Sequence, residues 1–314
     1  MMKIRGLDRI SAIVLVALFA LIVVWPTFAS SYEIGVGFDT MRWAALALSW
    51  VILSGMTGYF SFGHVVFFGL GAYIVAVTWL VMPWWGCVLL SGVGAGILAL
   101  MIGYPCLRVR GPYFVILTFG VAELVKFIVI NIEAGLSMSG RMLLGGPSTT
   151  TLYYSMGVLA LVAFVLAFWV RQSRFGAGLR AIREDEDAAE TLGIPVARYK
   201  MTAFVLSGII PGMVGGLFVI RGAFFEPPNV FDPRVSLTMI AMAIMGGSDD
   251  ARGTLFGVAF LALLSQFLWA SYPQYYAIIV GLLLVIFVLA APDGIWGRLQ
   301  AARRRSPSSQ SQEG

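Results

Sequence analysis

RQSRFGAGLRAIREDEDAAETLGIPVARYK, residues Arg171 to Lys200, interrupts a chain that is apolar over membrane-spanning lengths on both sides. So many charges cannot sit in hydrocarbon, so this stretch lies outside the bilayer and is open to another protein. Within it, Gly178 to Gly193 has the pattern of one short amphipathic helix. Leu179, Ile182, Ala189 and Leu192 fall near one face, while Arg180, Arg183, Glu184, Asp187 and Glu190 project elsewhere, with Ala188 among them. Gly193 stands where a left-handed C-cap belongs, and Pro195 follows where a helix cannot continue. A capped helix between two spans has the shape of a docking element; the plainer reading is a solvated loop that only joins them.

Composition decides the class. The chain of 314 residues is 59% hydrophobic and 12% charged, against roughly 45–50% and about 25% in soluble domains. Its mean hydropathy of +0.89 agrees. Nothing in it supplies a polar exterior, so the expected fold is an all-α integral membrane protein, a polytopic bundle of about 8–10 transmembrane helices. Cys87 and Cys106 lie in or beside apolar spans without C-x-x-C spacing or a histidine partner, as buried structural thiols do. The net charge of +5 gathers in a few loops. That is an orientation signal, and it points to no nucleic-acid partner.

A membrane helix takes about 20 apolar residues. Expected spans are 10–29, 41–57, 62–82, 84–105, 112–131, 153–170, 201–222, 236–247, 253–271 and 275–291. The first resembles a signal peptide, with Lys3, Arg5 and Arg9 ahead of it and Phe28-Ala29-Ser30 behind. Its apolar run is too long for one, so it reads as an uncleaved span. Basic clusters occur at residues 3–9, at Arg108 and Arg110, in 171–200 and at Arg298 to Arg305. Even numbers of crossings separate them, which puts all four clusters and both termini in the cytoplasm. The run 236–247, ending in Gly246-Gly247, reads as half of a broken helix. The glycine-rich 58–82 stretch reads as containing a re-entrant break. Residues 1–297 form a single membrane domain, and 298–314 a basic, then Ser/Gln-rich, disordered tail.

Several chemistries are missing. The three lysines, Lys3, Lys126 and Lys200, follow no phosphate-binding glycine loop, so the chain is not itself an ATPase. The sole histidine, His64, has no Cys or carboxylate cluster for a metal, and no G-x-S-x-G elbow accompanies it. An enzyme is not expected. The small-residue stretch 58–73 contains Ser61, Gly63, His64, Gly69 and Gly71. Its glycines serve close helix packing, or the stretch lines a pathway to which Ser61 and His64 add polar groups. Glu123 and Lys126, one turn apart in a span, either border such a route or form an ion pair that cements two helices.

These motifs together resemble the permease subunits of branched-chain amino-acid ABC importers, a group that includes urea and short-amide permeases. The resemblance covers nearly all of 10–297. SFGHVVFFGLGAY at 61–73 is similar to that family's S-x-G-H-x-x-F-x-G-x-G-A-Y signature, and RGPYFVILTFGVAELV at 110–125 to its R-G-x-Y-F-x-I-x-T-x-x-x-A-E segment. GLRAIREDEDAAETLGI at 178–194 resembles its ATPase-docking loop. Gly145-Gly146-Pro147, Gly246-Gly247 with Gly253-Thr254, and Pro292-Asp293-Gly294-Ile295 match more weakly. One departure is the insert Ser248 to Arg252 in a turn that the family keeps compact, which offers a second ATPase contact.

The resemblance implies a permease in the bacterial inner membrane, paired with a homologue or a second copy. Two cytoplasmic ATPases, holding the ATP and magnesium, would seat the 178–193 helix; no cofactor is bound by this chain. A soluble binding protein on the outer face would deliver Leu, Ile or Val, or alternatively urea or short amides. Arg180, Arg183, Glu184 and Asp187 would be polar docking residues, with Leu179, Ile182 and Leu192 as apolar contacts. The other class that fits is a self-sufficient secondary carrier or channel using His64, Glu123 and Lys126 as a relay.

Overall fold

The computed structural model describes residues 9–138, 140–271 and 281–282. The expected span 275–291 apart from residues 281–282, the tail 298–314, the Pro292–Ile295 motif and the basic residues at 3–8 and Arg298–Arg305 lie outside the described residues. Among the described residues nearly every element is a helix. These are α1 (Arg9–Phe28), α2 (Ser31–Trp50) with a π-helical turn Val51–Gly55 at its end, α3 (His64–Thr78), α4 (Trp84–Cys106), α5 (Pro112–Gly135) and α6 (Thr149–Gln172). The interrupting stretch forms α7 (Arg174–Glu184) and α8 (Glu186–Thr191). Then follow α9 (Val196–Gly222), α10 (Pro227–Val230), α11 (Pro233–Gly246) and α12 (Ala251–Ser271). Two-residue strands β1 (Arg141–Met142) and β2 (Phe224–Phe225) pair antiparallel.

Ser31–Gly55, α4, α5, α6 and α9 are each long and apolar enough to cross a membrane. At about 1.5 Å per residue they reach roughly 35–40 Å, more than the hydrocarbon thickness of about 30 Å. Large apolar side chains point outward: Ile97 and Leu100 on α4, Ile116 and Leu124 on α5, Val158 and Val162 on α6. Only hydrocarbon is a tolerable solvent for such a surface. The protein is an all-α, multi-pass membrane protein.

Local chemistry sets the helix ends. Ser30 and Glu33 form a reciprocal capping box, and it starts α2 ten residues before the expected position at Met41. Hydropathy missed this because Glu33 and Asp39 lie in that first part. Ser148 accepts from the Thr151 N–H to cap α6, and Asp232 caps α11 just ahead of Pro233.

The centre of the bundle is α9, packed against α2, α3, α4 and α6. Its approach to α3 needs glycine. A Cβ on Gly71 would lie 1.9 Å from the carbonyl oxygen of Gly212, a backbone atom that cannot step aside. The packing role therefore holds for Gly71, and also for Gly69, whose missing Cβ makes room for the Phe231 ring.

The expected break near residue 58 is present: the chain leaves the helix after the π-helical turn and re-enters at His64. The 236–247 run is not half of one interrupted helix. It is the short helix α11, which turns at Gly247 and packs side by side with α12, Gly246 against Gly253 and Met242 against Gly257.

Candidate functional site

The charged stretch folds as two helices where one was expected, because Asp185 interrupts it. Its backbone is extended (φ −157°, ψ 115°), and its carboxylate accepts the N–H groups of Asp187 and Ala188, each at 2.9 Å. An aspartate inside a continuous amphipathic pattern has thus become an N-cap. Ser173 does the same for α7 by accepting from Gly176. The C-terminal end is as expected. Gly193 is left-handed (φ +82°), its N–H donates to the Glu190 carbonyl, and Ile194 donates to Ala189, which together make a Schellman cap.

The faces also differ from expectation. Leu179, Ile182 and Ala189 are buried against the protein itself, with Val196 and Tyr199 among their neighbours. They hold the loop to the bundle and are unavailable to a partner. Leu192, expected on the same face, is 80% exposed because the break at Asp185 re-aims α8. Glu184, Ala188, Glu190 and Thr191 are exposed around it. Arg180 is exposed and donates to the Arg171 carbonyl.

An ion network fastens the two helices to the bundle. The Lys200 ammonium, on α9 and 4% exposed, donates to Glu186 Oε1 at 2.6 Å and to the Tyr59 hydroxyl at 3.0 Å. Tyr59 donates in turn to Glu186 Oε2 at 2.5 Å. Arg110 lies 3.6 Å from Glu186 and donates to Asp187 at 3.0 Å. Burial raises the Glu186 pKa, but the hydrogen bonds from Lys200 and Tyr59 and the nearby cations outweigh it, leaving the carboxyl below its ordinary value. Sequence reading missed Lys200, Glu186 and Tyr59. The available signals were the rarity of lysine and its position at the mouth of a span.

Arg183 reaches elsewhere. It donates to the Gly55 carbonyl at 2.9 Å, at the end of the π-helical turn, and pairs with Asp249. Asp250 is buried, pairs with Arg171 at 2.7 Å and with Arg252, and accepts the Arg252 N–H to begin α12. The Ser248–Arg252 insert is therefore tied to α6, α7 and its own helix, with its charges paired within the chain. These contacts put residues 55–59, 107–111, 171–200 and 248–252 at one end of the bundle. The second and third basic clusters do share a side.

The segment 56–63 runs from this end into the core. Its backbone polar groups are satisfied by side chains. Trp50 donates to the Ser61 carbonyl, Ser61 N–H to Ser54, Phe62 N–H to Thr118, and Ser236 to the Phe62 carbonyl. Ser61 and His64 are fully buried, with Ser61 Oγ 3.2 Å from His64 Nδ1 and His64 Nε2 without a hydrogen-bond partner. Gly63 donates its N–H to Ser61 and packs on Thr118. Glu123 and Lys126 pair with each other along α5 at 3.0 Å. The pair lies within one helix and cements no two. Among the described residues no group of three or more metal-ligating side chains comes together.

Comparison with known proteins follows this geometry. A family model described as the permease component of branched-chain amino acid transport systems matches residues 34–289. The high-affinity branched-chain amino acid transport system permease protein LivM of Escherichia coli (strain K12) is 28% identical, over 90% of this chain and 74% of LivM. LivH of the same strain is 24% identical, over 82% of this chain and 91% of LivH. The L-arabinose ABC transporter permease protein AraH of Azospirillum brasilense is 30% identical, over 46% of this chain and 43% of AraH. No solved structure matches.

Proposed function

Because this chain belongs to the family of permease components of branched-chain amino acid transport systems, we propose that α7–α8 is where a cytoplasmic ATPase grips it to drive import. The observation that carries this reading is the division of labour in the loop. Leu179, Ile182 and Ala189 root it in the bundle, while Leu192 stands exposed at the tip of α8. An exposed leucine at the end of a short helix whose Ala188, Glu190 and Thr191 are also exposed is suited to a surface cleft, as the central anchor of an interface.

The anchorage supplies the coupling. Force on α8 passes through Glu186 to Tyr59 and Lys200, and force on α7 through Arg183 to the Gly55 carbonyl. Gly55 precedes, and Tyr59 lies within, the segment that enters the core at Ser61 and His64. A shift of the loop would therefore move that segment and α9 together, a two-state rearrangement of packed elements. Arg180, Arg183 and Asp187 would serve the docking helix mainly by holding it in place and Glu184 by facing the ATPase, with ATP and magnesium residing on the ATPases.

The remaining parts follow the family. Relatives named LivM and LivH both match this chain, which favours a second, homologous permease as its pair. The cargo is Leu, Ile or Val, handed over by a binding protein on the outer face of the bacterial inner membrane. The α7–α8 end faces the cytoplasm. The test is ATP-dependent leucine uptake by cells carrying Leu192→Glu. Uptake should fall at least tenfold with the chain still inserted at wild-type level; unchanged uptake would remove α8 from the coupling route.

A further inference from the structure

Midway along the bundle, a cavity of about 400 Å3 opens between α2, α11 and α12. That is near the lower end of small-ligand pockets, roughly 300–1,000 Å3. Val36, Asp39, Arg42 and Trp43 of α2 and Thr238 and Met242 of α11 form its walls, with α12 closing the third side. Asp39 and Arg42 lie about 12–17 Å from the start of α2, at about 1.5 Å per residue. Charged side chains at such depth mark functional positions.

The charges do not balance. Asp39 serves two guanidiniums, Arg42 Nε at 3.2 Å from Oδ1 and Arg221 at 3.1 Å from Oδ2. Among the described residues neither arginine pairs with another carboxylate. The Arg42 Nε–H is buried and makes no hydrogen bond, so its approach to Asp39 is close but misaligned. The guanidinium is held over the rings of Trp43 and Phe218 at 4.5 and 4.7 Å. A fixed cation with spare donors is built to take a planar anion.

The geometry points to a zwitterion subsite on the permease itself: Arg42 takes the carboxylate of an α-amino acid, Asp39 its ammonium, and Val36, Trp43 and Met242 its apolar side chain. This deepens the proposed function and rests on it, by assigning recognition of the cargo to this chain as well as to a binding protein. A bare carboxylate would answer Arg42 but leave open the lone pairs that Asp39 keeps beyond its one contact per oxygen with the two guanidiniums. An amine would bring a further positive charge to a site that already holds two guanidiniums to one carboxylate.

The test is binding of tritiated L-leucine to the full chain in lipid nanodiscs, with 4-methyl-2-oxopentanoate and 3-methylbutylamine as competitors. Saturable leucine binding should be cut at least tenfold by Arg42→Gln and by Thr238→Phe, which fills the cavity. Arg42→Lys should retain part of it. Asp39→Asn should erase the preference for leucine over the oxo acid. Only variants eluting as the wild type does are compared. A wild-type chain that binds no leucine, or a Thr238→Phe chain with undiminished affinity, would overturn the subsite. The reading beneath it has its own control. ATP-dependent leucine uptake at wild-type KM by an importer carrying Thr238→Phe sinks the subsite alone. No ATP-dependent leucine uptake by the wild-type assembly sinks the importer.

Discussion

Lys200 shows what a single residue carries in this protein. Its ammonium is buried, and its bonds to Glu186 and Tyr59 offset the cost of taking it out of water. Removing one partner of such a pair costs about 3–5 kcal/mol, because the other charge stays behind. Lys200→Met should lose about 3 kcal/mol, the lower end, since Glu186 keeps some contact with solvent. Lys200→Met with Glu186→Gln should recover much of that loss, measured by thermal unfolding in detergent. The same carboxylate gives a pH test. Its pKa is below the unfolded value of about 4.3, so its contribution is complete above that value and lost as pH falls through the lower folded one. The melting temperatures of wild type and Glu186→Gln should differ by a constant amount from about pH 5.5 to 8 and converge only below about pH 4. None of this was legible from the chain, because Tyr59 lies 141 residues from Lys200. Hydropathy likewise hid Asp39, by opening the second span at Met41.

At the scale of the element, the loop was legible as an amphipathic, capped and exposed segment, and its end at Gly193 was read correctly. Its break was not. Glu184 and Asp187 fit the polar face of a continuous helix, Glu186 falls between Ile182 and Ala189 on its apolar face, and nothing in periodicity says that Asp185 will turn its carboxylate onto the backbone. Losing such a cap costs about 1 kcal/mol. Asp185→Ala should therefore barely change global stability, yet speed amide exchange across 186–191 several-fold. Equal exchange in the two proteins would mean that the cap does not hold α8. The close approach of α3 and α9 is a second element-scale feature, visible in sequence only as a density of glycines. Gly71→Ala puts a Cβ against the Gly212 backbone, whereas Gly86→Ala meets nothing closer than 3.7 Å. The first should abolish monodisperse protein on fluorescence-detected gel filtration, and the second should leave it unchanged.

The whole molecule is organised by its two ends. At one, α7–α8, the 248–252 turn and the 107–111 corner are bound by ion pairs. At the other, Trp79 donates to the Leu144 carbonyl and β1 pairs with β2. Even numbers of crossings between basic clusters already put Arg108, Arg110 and 171–200 on one side, and the contacts of Arg110 with Glu186 and Asp187 agree. Charge counting read this correctly because orientation depends on loops, whereas the helix hairpin α11–α12 depends on contacts that no window average registers. Cys87 and Cys106 are buried, so added thiols can be read against a silent background. With the chain expressed without its ATPase, Leu192→Cys should react with a membrane-impermeant maleimide only in inside-out vesicles, and Leu144→Cys only in intact spheroplasts. Labelling of both from one side would overturn the crossing count between them.

The measurement that bears most directly on the central claim is a mild-detergent purification of the tagged chain from its native membrane, wild type beside Leu192→Glu, with ATP hydrolysis assayed in each eluate. The account predicts an ATPase and a second permease in the wild-type eluate, with the ATPase and its activity lost from Leu192→Glu while the permease pair remains. ATPase retained by Leu192→Glu at wild-type activity, or a wild-type chain that purifies alone and still moves leucine down a proton gradient, would contradict it.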